Sequence, residues 1–250
     1  MKTGSAAIDL AVDWLKNCKF LFVLTGAGVS KESGIPTFRD ALEGLWANYN
    51  PEELATPQGF RSNPSLVWQW YDSRRQKVKD VEPNPGHYAL AELQKLIPNL
   101  FLCTQNVDGL HIRAGSTDVV EIHGSLSKFK CFDKEHEARD IPFDLKEPPR
   151  CDCGSLIRPA VVWFNEAMPE KLLKDSYAAA GKADVALVVG TSGLVHPAAS
   201  LPYIAKQAGA KVIEVNPNRT ELTESADLFL AGPSGEVLPQ LVDKLSHLLL

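Results

Sequence analysis

The feature that most constrains the fold is a set of short apolar runs at 20–24, 100–103, 119–122, 186–189 and 211–215. Each has the length of a strand, and helical or loop-like segments separate them. Strands that alternate with helices indicate an α/β fold built on a mostly parallel sheet. Ile8, Val12 and Leu15 stand at helical spacing, 87–96 reads as a helix, and Leu238, Leu241, Leu245 and Leu248 predict a closing one. Four of the runs lead into glycine or polar motifs: Gly26-Ala27-Gly28, Gln105-Asn106-Val107-Asp108, Gly190-Thr191-Ser192 and Asn216-Pro217-Asn218. In parallel strands these ends share one edge of the sheet. Motifs far apart in the chain therefore converge, which predicts a large ligand bound along the carboxyl edge.

At 250 residues the chain can form one large domain with a smaller insert. Its 44% hydrophobic and 23% charged residues exclude a disordered or fibrous protein. A net charge of -5 argues against non-specific nucleic-acid binding. No apolar run approaches the roughly 18 residues that cross a bilayer. Asp9, Asp13 and Lys16 interrupt the N-terminal segment where a signal peptide needs an apolar core. A cytoplasmic protein is expected. In that reducing setting Cys131, Cys151 and Cys153, grouped in a charged, proline-containing stretch, point to a metal before a disulfide. Zinc takes four ligands, commonly from two CxxC pairs. Lys134 stands where a partner for Cys131 would fall, so the fourth ligand is open among His136, Asp133 and Asp152, and a metal-free loop is the alternative. Cys18 and Cys103, beside apolar residues, read as small buried side chains.

The glycines of Gly26-Ala27-Gly28 let a backbone approach a pyrophosphate, with the N–H groups of the next helix behind them. The full GxGxxG pattern fails because Lys31 holds the third glycine position, so a plain tight turn is the competing reading. Ser30 adds a hydroxyl at the helix start, and Phe38 and Arg39 add an aromatic face and a fixed cation. His123, at the end of the 119–122 run, is a candidate general base. Thr191 and Ser192 suit a phosphate or ribose, with Ser192 as a helix N-cap the ordinary alternative. Asn216 suits a ribose hydroxyl, or simply an Asn-Pro turn. Tyr71 and Arg74 stand at i, i+3 on a predicted helix, where a phenol and a guanidinium share a face and can bind a carboxylate together.

Taken in order, these motifs resemble the sirtuins, the NAD-dependent protein-lysine deacylases. The matching pieces are 26–30, 34–39, 104–108, His123-Gly124, Arg158-Pro159 with Val161-Val162-Trp163-Phe164, 190–192 and Val215-Asn216. The resemblance implies a Rossmann-like NAD-binding domain from 1–39, 86–126 and 159–250. It also implies a small domain from a helical insert, 40–85, and a cysteine module, 127–158, that holds zinc if Cys131, Cys151 and Cys153 find a fourth ligand. It implies that NAD is the co-substrate and that acylated-lysine proteins or peptides are the partners. Gly26, Ala27, Gly28, Ser30, Phe38, Arg39, Gln105, Asn106, Val107, Asp108, Gly190, Thr191, Ser192, Asn216, Pro217, Asn218 and Ser234 would contact NAD. His123 would be the base, assisted by Asn106 and Asp108, and Val161 to Phe164 would pair with the substrate backbone. The resemblance also implies that the acyl group would pass to the ribose, leaving nicotinamide, free lysine and O-acyl-ADP-ribose. Trp68-Gln69-Trp70-Tyr71-Asp72-Ser73-Arg74-Arg75 resembles the desuccinylase-type branch, which implies succinyl- and malonyl-lysine as substrates with deacetylation beside them. Asn165 departs from the glycine common in the family. Competing readings of the same residues are ADP-ribose transfer to protein, a non-catalytic NAD sensor and, given the failed GxGxxG, a nucleotide-binding oxidoreductase.

Overall fold

The computed structural model describes residues 4–37 and 49–249. Its described strands are β1 (Leu21–Thr25), β2 (Leu100–Thr104), β3 (Val120–Glu121), β4 (Gly124–Cys131), β5 (Glu137–Ala138), β6 (Ile157–Val161), β7 (Val185–Val189), β8 (Lys211–Asn216) and β9 (Leu228–Ala231). Six of them form a parallel sheet in the order β3-β2-β1-β7-β8-β9. The other three form a smaller antiparallel sheet, β5-β4-β6.

The apolar runs are continuous because the parallel sheet is covered on both faces. Leu21 and Val23 of β1 point into one cluster with Ile8, Val12 and Leu15 of the helix Ser5–Lys16 and Leu238, Leu241 and Leu245 of the helix Ser234–Leu249. Phe22 and Leu24 point the other way, against Ala179 and Ala180 of the helix Glu170–Ala180 and Leu201 and Ala205 of the helix Leu201–Gln207. All five expected runs are strands, with ends shifted by a residue or two. β9 and the small sheet were not anticipated. β9 is only four residues long. The alternation of β4 is broken by a register shift between Ser125 and Phe129 and by the charges of Lys128 and Lys130, so no clean period of two marks it. No described helix is long and apolar enough to cross a membrane.

The sheet order reverses between β1 and β7, the position where open parallel sheets bind ligands. Here backbone meets backbone. Gly28 N donates to Gly190 O at 2.8 Å and Gly26 N to Val189 O at 3.0 Å. A Cβ on Gly28 would stand 2.7 Å from Gly190 O. The two sheets join at His123. Ile122 N donates to Thr104 O, while Val162 N donates to His123 O, at 3.0 and 2.8 Å. Gly124 makes that junction possible, since at φ +82 a Cβ would lie 2.0 Å from Ala160 O.

Gly190 has φ +62, and a Cβ there would lie 2.5 Å from Val29 N. Gly190→Ala should therefore cost about 3 kcal/mol from backbone strain and overpacking, lowering the melting temperature by roughly 6–12 °C. An unchanged melting temperature by calorimetry would show that the loops are free to separate.

Candidate active site

The four strand-end motifs do meet. Gln105 continues the ladder, its N–H donating to Thr25 O at 2.9 Å, and its side-chain amide donates to Thr191 Oγ1 at 2.9 Å. Asn216 Nδ2 donates to Thr191 O at 2.9 Å. Thr191 thus ties the ends of β2, β7 and β8 together. The amides of Ala27, Thr191 and Ser192 donate to no group among the described residues, so three N–H donors stand at the switch point. Those donors and the side-chain-free contact of Gly28 with Gly190 fit the phosphates of a dinucleotide such as NAD. The helix behind the glycines, Gly28–Lys31, is a single turn, so local N–H groups rather than a long helix dipole would serve an anion. Ser192 caps no helix. It is exposed, and its hydroxyl accepts from Leu194 N.

Beneath this edge lies a buried polar network. Ser30 Oγ donates to Asp108 Oδ2 at 2.7 Å and accepts from Asn106 Nδ2 at 3.0 Å. Its single proton is spent on Asp108, so His87 Nε2, at 3.3 Å, must carry the hydrogen of that contact. His87 Nδ1 then accepts from Asn84 N at 3.3 Å, as a neutral imidazole can. Thr25 Oγ1 likewise donates to Thr104 Oγ1 at 2.8 Å and accepts from His111 Nε2 at 2.9 Å. Burial lowers the pKa of His87 to about 4 and that of His111 to about 3, the latter helped by His87. Asp108 accepts from Leu110 N at 2.9 Å with its other oxygen and so starts the short helix Leu110–Arg113. Burial raises its pKa, opposed by the Leu110 N–H and the Ser30 hydroxyl. Thr25, Asn84, His87 and His111 were missed in the sequence. Only Asn84-Pro85 carried a signal, that of a helix cap.

His123 is half-buried, with Nδ1 3.1 Å from Gln105 O. A carbonyl only accepts, so Nδ1 bears the proton and Nε2 keeps its lone pair. Burial lowers its pKa, partly offset by the Gln105 carbonyl, which keeps the ring neutral and basic at pH 7.

Tyr71 and Arg74 lie on the helix Pro64–Lys79. Tyr71 is buried against Trp70 and Trp163, with ring centroids 4.6 and 6.1 Å away. The Arg74 guanidinium sits 4.9 Å from the Trp70 ring and 5.9 Å from the Tyr71 ring. Burial pushes the Tyr71 hydroxyl up to about 12, against the field of Arg74. β6 stops at Val161, and a turn follows at 163–166. Glu166 N donates to Trp163 O at 3.1 Å, with Asn165 at φ +66 in the third position, where a glycine is usual and Asn is tolerated. The amides of Val162, Trp163 and Phe164 donate to His123 O, Glu166 Oε2 and Ala55 O. Arg158, part of the sequence motif but given no role there, holds the turn from inside, ion-paired to Glu166 and stacked 3.4 Å from the Trp163 ring.

Cys131 Sγ, His136 Nδ1 or Nε2, Cys151 Sγ and Cys153 Sγ lie within 4.8 Å of one another. Three thiols and an imidazole so close fit a closed tetrahedral zinc site, a structural rather than a catalytic type. His136 is thus the candidate fourth ligand. Asp133 accepts from Ser155 Oγ at 2.6 Å instead, and Asp152 lies outside the cluster. Glu135, at φ +56, turns the chain so that His136 returns over Cys131. The remaining expected contacts divide. Val107 packs against the apolar cluster that includes Tyr71 and Trp163, and Pro217 and Asn218 are exposed beyond β8. Ser234 is buried, its hydroxyl donating to Glu32 Oε2 at 3.0 Å. Phe38 and Arg39 lie outside the described residues.

Two predictions come from this geometry. The unfolded chain binds protons on His87 and His111 below about pH 6.5, whereas the folded one resists them down to pH 4 and 3, so stability falls as pH drops from 6.5 towards 4. The slope should approach roughly 2.7 kcal/mol per pH unit for the pair, and His111→Asn should about halve it in urea titrations. Equal slopes would refute the assignment. Elemental analysis should find about one zinc per chain, with His136→Ala losing most of it to a mild chelator. Full retention would remove His136 from the ligand set.

A Sir2 family model matches residues 26–197. The NAD-dependent protein deacylase 1 of Pseudomonas aeruginosa is 51% identical over 240 residues, covering 92% of this chain and 96% of the relative. The NAD-dependent protein deacylase of Pyrococcus furiosus is 49% identical, covering 94% and 96%. Among solved structures, a Sir2 homolog in complex with NAD superposes with a TM-score of 0.91 at 46% identity, over 97% of this chain and 95% of that one. A Sir2 protein bound to a myristoylated histone peptide superposes at 0.80 with 38% identity, over 98% of both. With its reversal-point glycines and this degree of likeness over nearly its whole length, the chain belongs to the Sir2 family.

Proposed function

We propose that the chain removes acyl groups from protein lysine side chains with NAD as co-substrate, and that it prefers acyl groups ending in a carboxylate. The family and its deacylase relatives support the first part. The second rests on one observation: Tyr71 and Arg74 share a helix face, with the guanidinium held over aromatic rings 4.9 and 5.9 Å away. Such a partly desolvated cation beside a phenol suits a succinyl or malonyl carboxylate.

NAD would supply a ribose carbon open to attack and nicotinamide as the leaving group. The chain's own residues bind and orient. The Ala27, Thr191 and Ser192 amides hold the pyrophosphate. Gln105, Asn106 and Asp108 orient the nicotinamide and its ribose, with Asp108 fixing Asn106 through Ser30 and Thr191 fixing Gln105. Asn216 faces the adenosine ribose. His123 Nε2 accepts a proton from a ribose hydroxyl and so starts acyl transfer from lysine to ribose. Since the amides of 162–164 are already engaged, a peptide strand would pair with this segment through carbonyl oxygens. The division into an NAD-binding domain, 1–39, 86–126 and 159–250, and a small domain, 40–85 with 127–158, belongs to the same reading, as does a cytoplasmic location. The small sheet, built only from strands between Gly124 and Val161, supports a separate cysteine module. A base with a free Nε2 at the reactive edge favours deacylation over a non-catalytic sensor.

The test incubates the protein with NAD and matched acetyl-, succinyl- and malonyl-lysine peptides and follows deacylated peptide and O-acyl-ADP-ribose by mass spectrometry. Arg74→Met should cut kcat/KM on the succinyl peptide by about 100-fold and on the acetyl peptide by only a few-fold. Equal losses would sink the acidic preference, and no NAD-dependent loss of any acyl group would sink the whole reading.

A further inference from the structure

The helix Pro64–Lys79 has a second flank, beside the one that carries Tyr71 and Arg74, and it is bound along its length to residues 141–147. Trp68 Nε1 donates to Leu145 O at 3.0 Å and Gln69 Nε2 to Lys146 O at 3.1 Å. Arg75 donates to Asp72 Oδ1 at 2.7 Å and to Ile141 O at 3.1 Å. Asp72 Oδ2 accepts from Asp144 N at 3.0 Å, and Gln76 Nε2 donates to Asp144 Oδ1 at 2.8 Å. The Arg75 guanidinium lies between the Phe129 and Phe143 rings, at 4.5 and 4.2 Å. Both Asp72 and Arg75 are 7% exposed. A buried ion pair with this many backbone partners is an expensive way to hold a surface loop. It is an effective way to fix the rotation and height of a helix, because every bond reads position along the helix axis. The strap lies between His136 and Cys151, two members of the metal-ligand cluster, so both of its ends can be pinned.

We propose that Asp72 and Arg75 are positioning residues for acyl selection: through the 141–147 strap they hold the helix at the height that presents Tyr71 and Arg74 to the acyl group. The inference rests on the reading of Tyr71 and Arg74 as the acidic-acyl site. A shift of the helix by a fraction of a turn would move Arg74 away from a carboxylate. It would leave His123, the glycine turns and Thr191 in place, because none of them is on this helix.

The test uses the full chain and compares kcat and KM for succinyl- and acetyl-lysine peptides of one sequence. Arg75→Met should raise KM for the succinyl peptide by about tenfold, as ångström-scale misplacement does, with kcat/KM for the acetyl peptide within about twofold. Arg75→Lys should restore part of the succinyl KM, since one donor remains. Phe143→Ala trims a ring that is 36% exposed on the strap and keeps the experiment informative if Arg75→Met does not fold. It should raise the succinyl KM in the same direction. Parallel losses on both peptides would make the clamp merely structural and overturn the proposal. Arg74→Met separates the two readings. If it leaves the succinyl-to-acetyl ratio unchanged, the acidic-acyl site itself fails. If it collapses that ratio while the Arg75 and Phe143 variants do not alter it, only the positioning role fails.

Discussion

The site depends on a contact with no side chain in it, the approach of Gly28 to Gly190 across the point where the sheet order reverses. The 2.8 Å hydrogen bond between them locks the loop after β1 onto the end of β7. Three consequences follow from that closeness. The amides of Ala27, Thr191 and Ser192 are gathered at one spot. Ser30, one turn on, is driven down to Asn106 and Asp108. Thr191 is left within reach of both Gln105 and Asn216. A methyl group at either glycine would push these loops apart and disperse all three.

The layer below the edge is polar yet uncharged at its histidines, and this follows from counting protons. Each hydroxyl has one hydrogen. Ser30 spends its own on Asp108 and Thr25 spends its own on Thr104, which forces both His87 and His111 to donate from Nε2. An imidazolium at either place would need a second acceptor. His87 Nδ1 meets an N–H instead, and His111 Nδ1 has no partner among the described residues. Such groups cost about 1–3 kcal/mol each when left unpaired in the interior, so the network has one low-energy orientation and resists rearrangement. A rigid floor of this kind suits side chains such as Gln105 and Asn106, whose proposed work is orientation.

The carboxyl-edge motifs were legible in the sequence because each is local, a strand followed directly by its polar end. The layer that supports them was not. His87 lies 57 residues from Ser30, and His111 lies 86 from Thr25, and neither histidine has neighbours that advertise its partner. The small sheet was hidden by the register shift in β4 and by strands of two residues. Asn165 was visible as a departure from a family pattern, and its backbone angle gives the reason it is tolerated. The fourth metal-ligand candidate stayed open in the sequence because a CxxC rule places it at Lys134, whereas the left-handed Glu135 delays the return of the chain to His136.

On the proposed reading, acyl preference has an attractive and a repulsive side. Arg74 is held over aromatic faces and its pKa is lowered by burial, so its charge is incompletely solvated. A carboxylate on the acyl group offsets that loss with a paired, bidentate contact. A neutral acetyl group offers the guanidinium no charge, whereas the Tyr71 and Asp108 fields act on it in either case. Discrimination therefore arises as much from the desolvation of the guanidinium as from a new contact, a device that specific sites commonly use. The same cation draws down the pKa that burial raises on Asp108. The acyl pocket and the floor of the NAD edge are thus joined electrostatically through one guanidinium, although they stand on different elements of the fold.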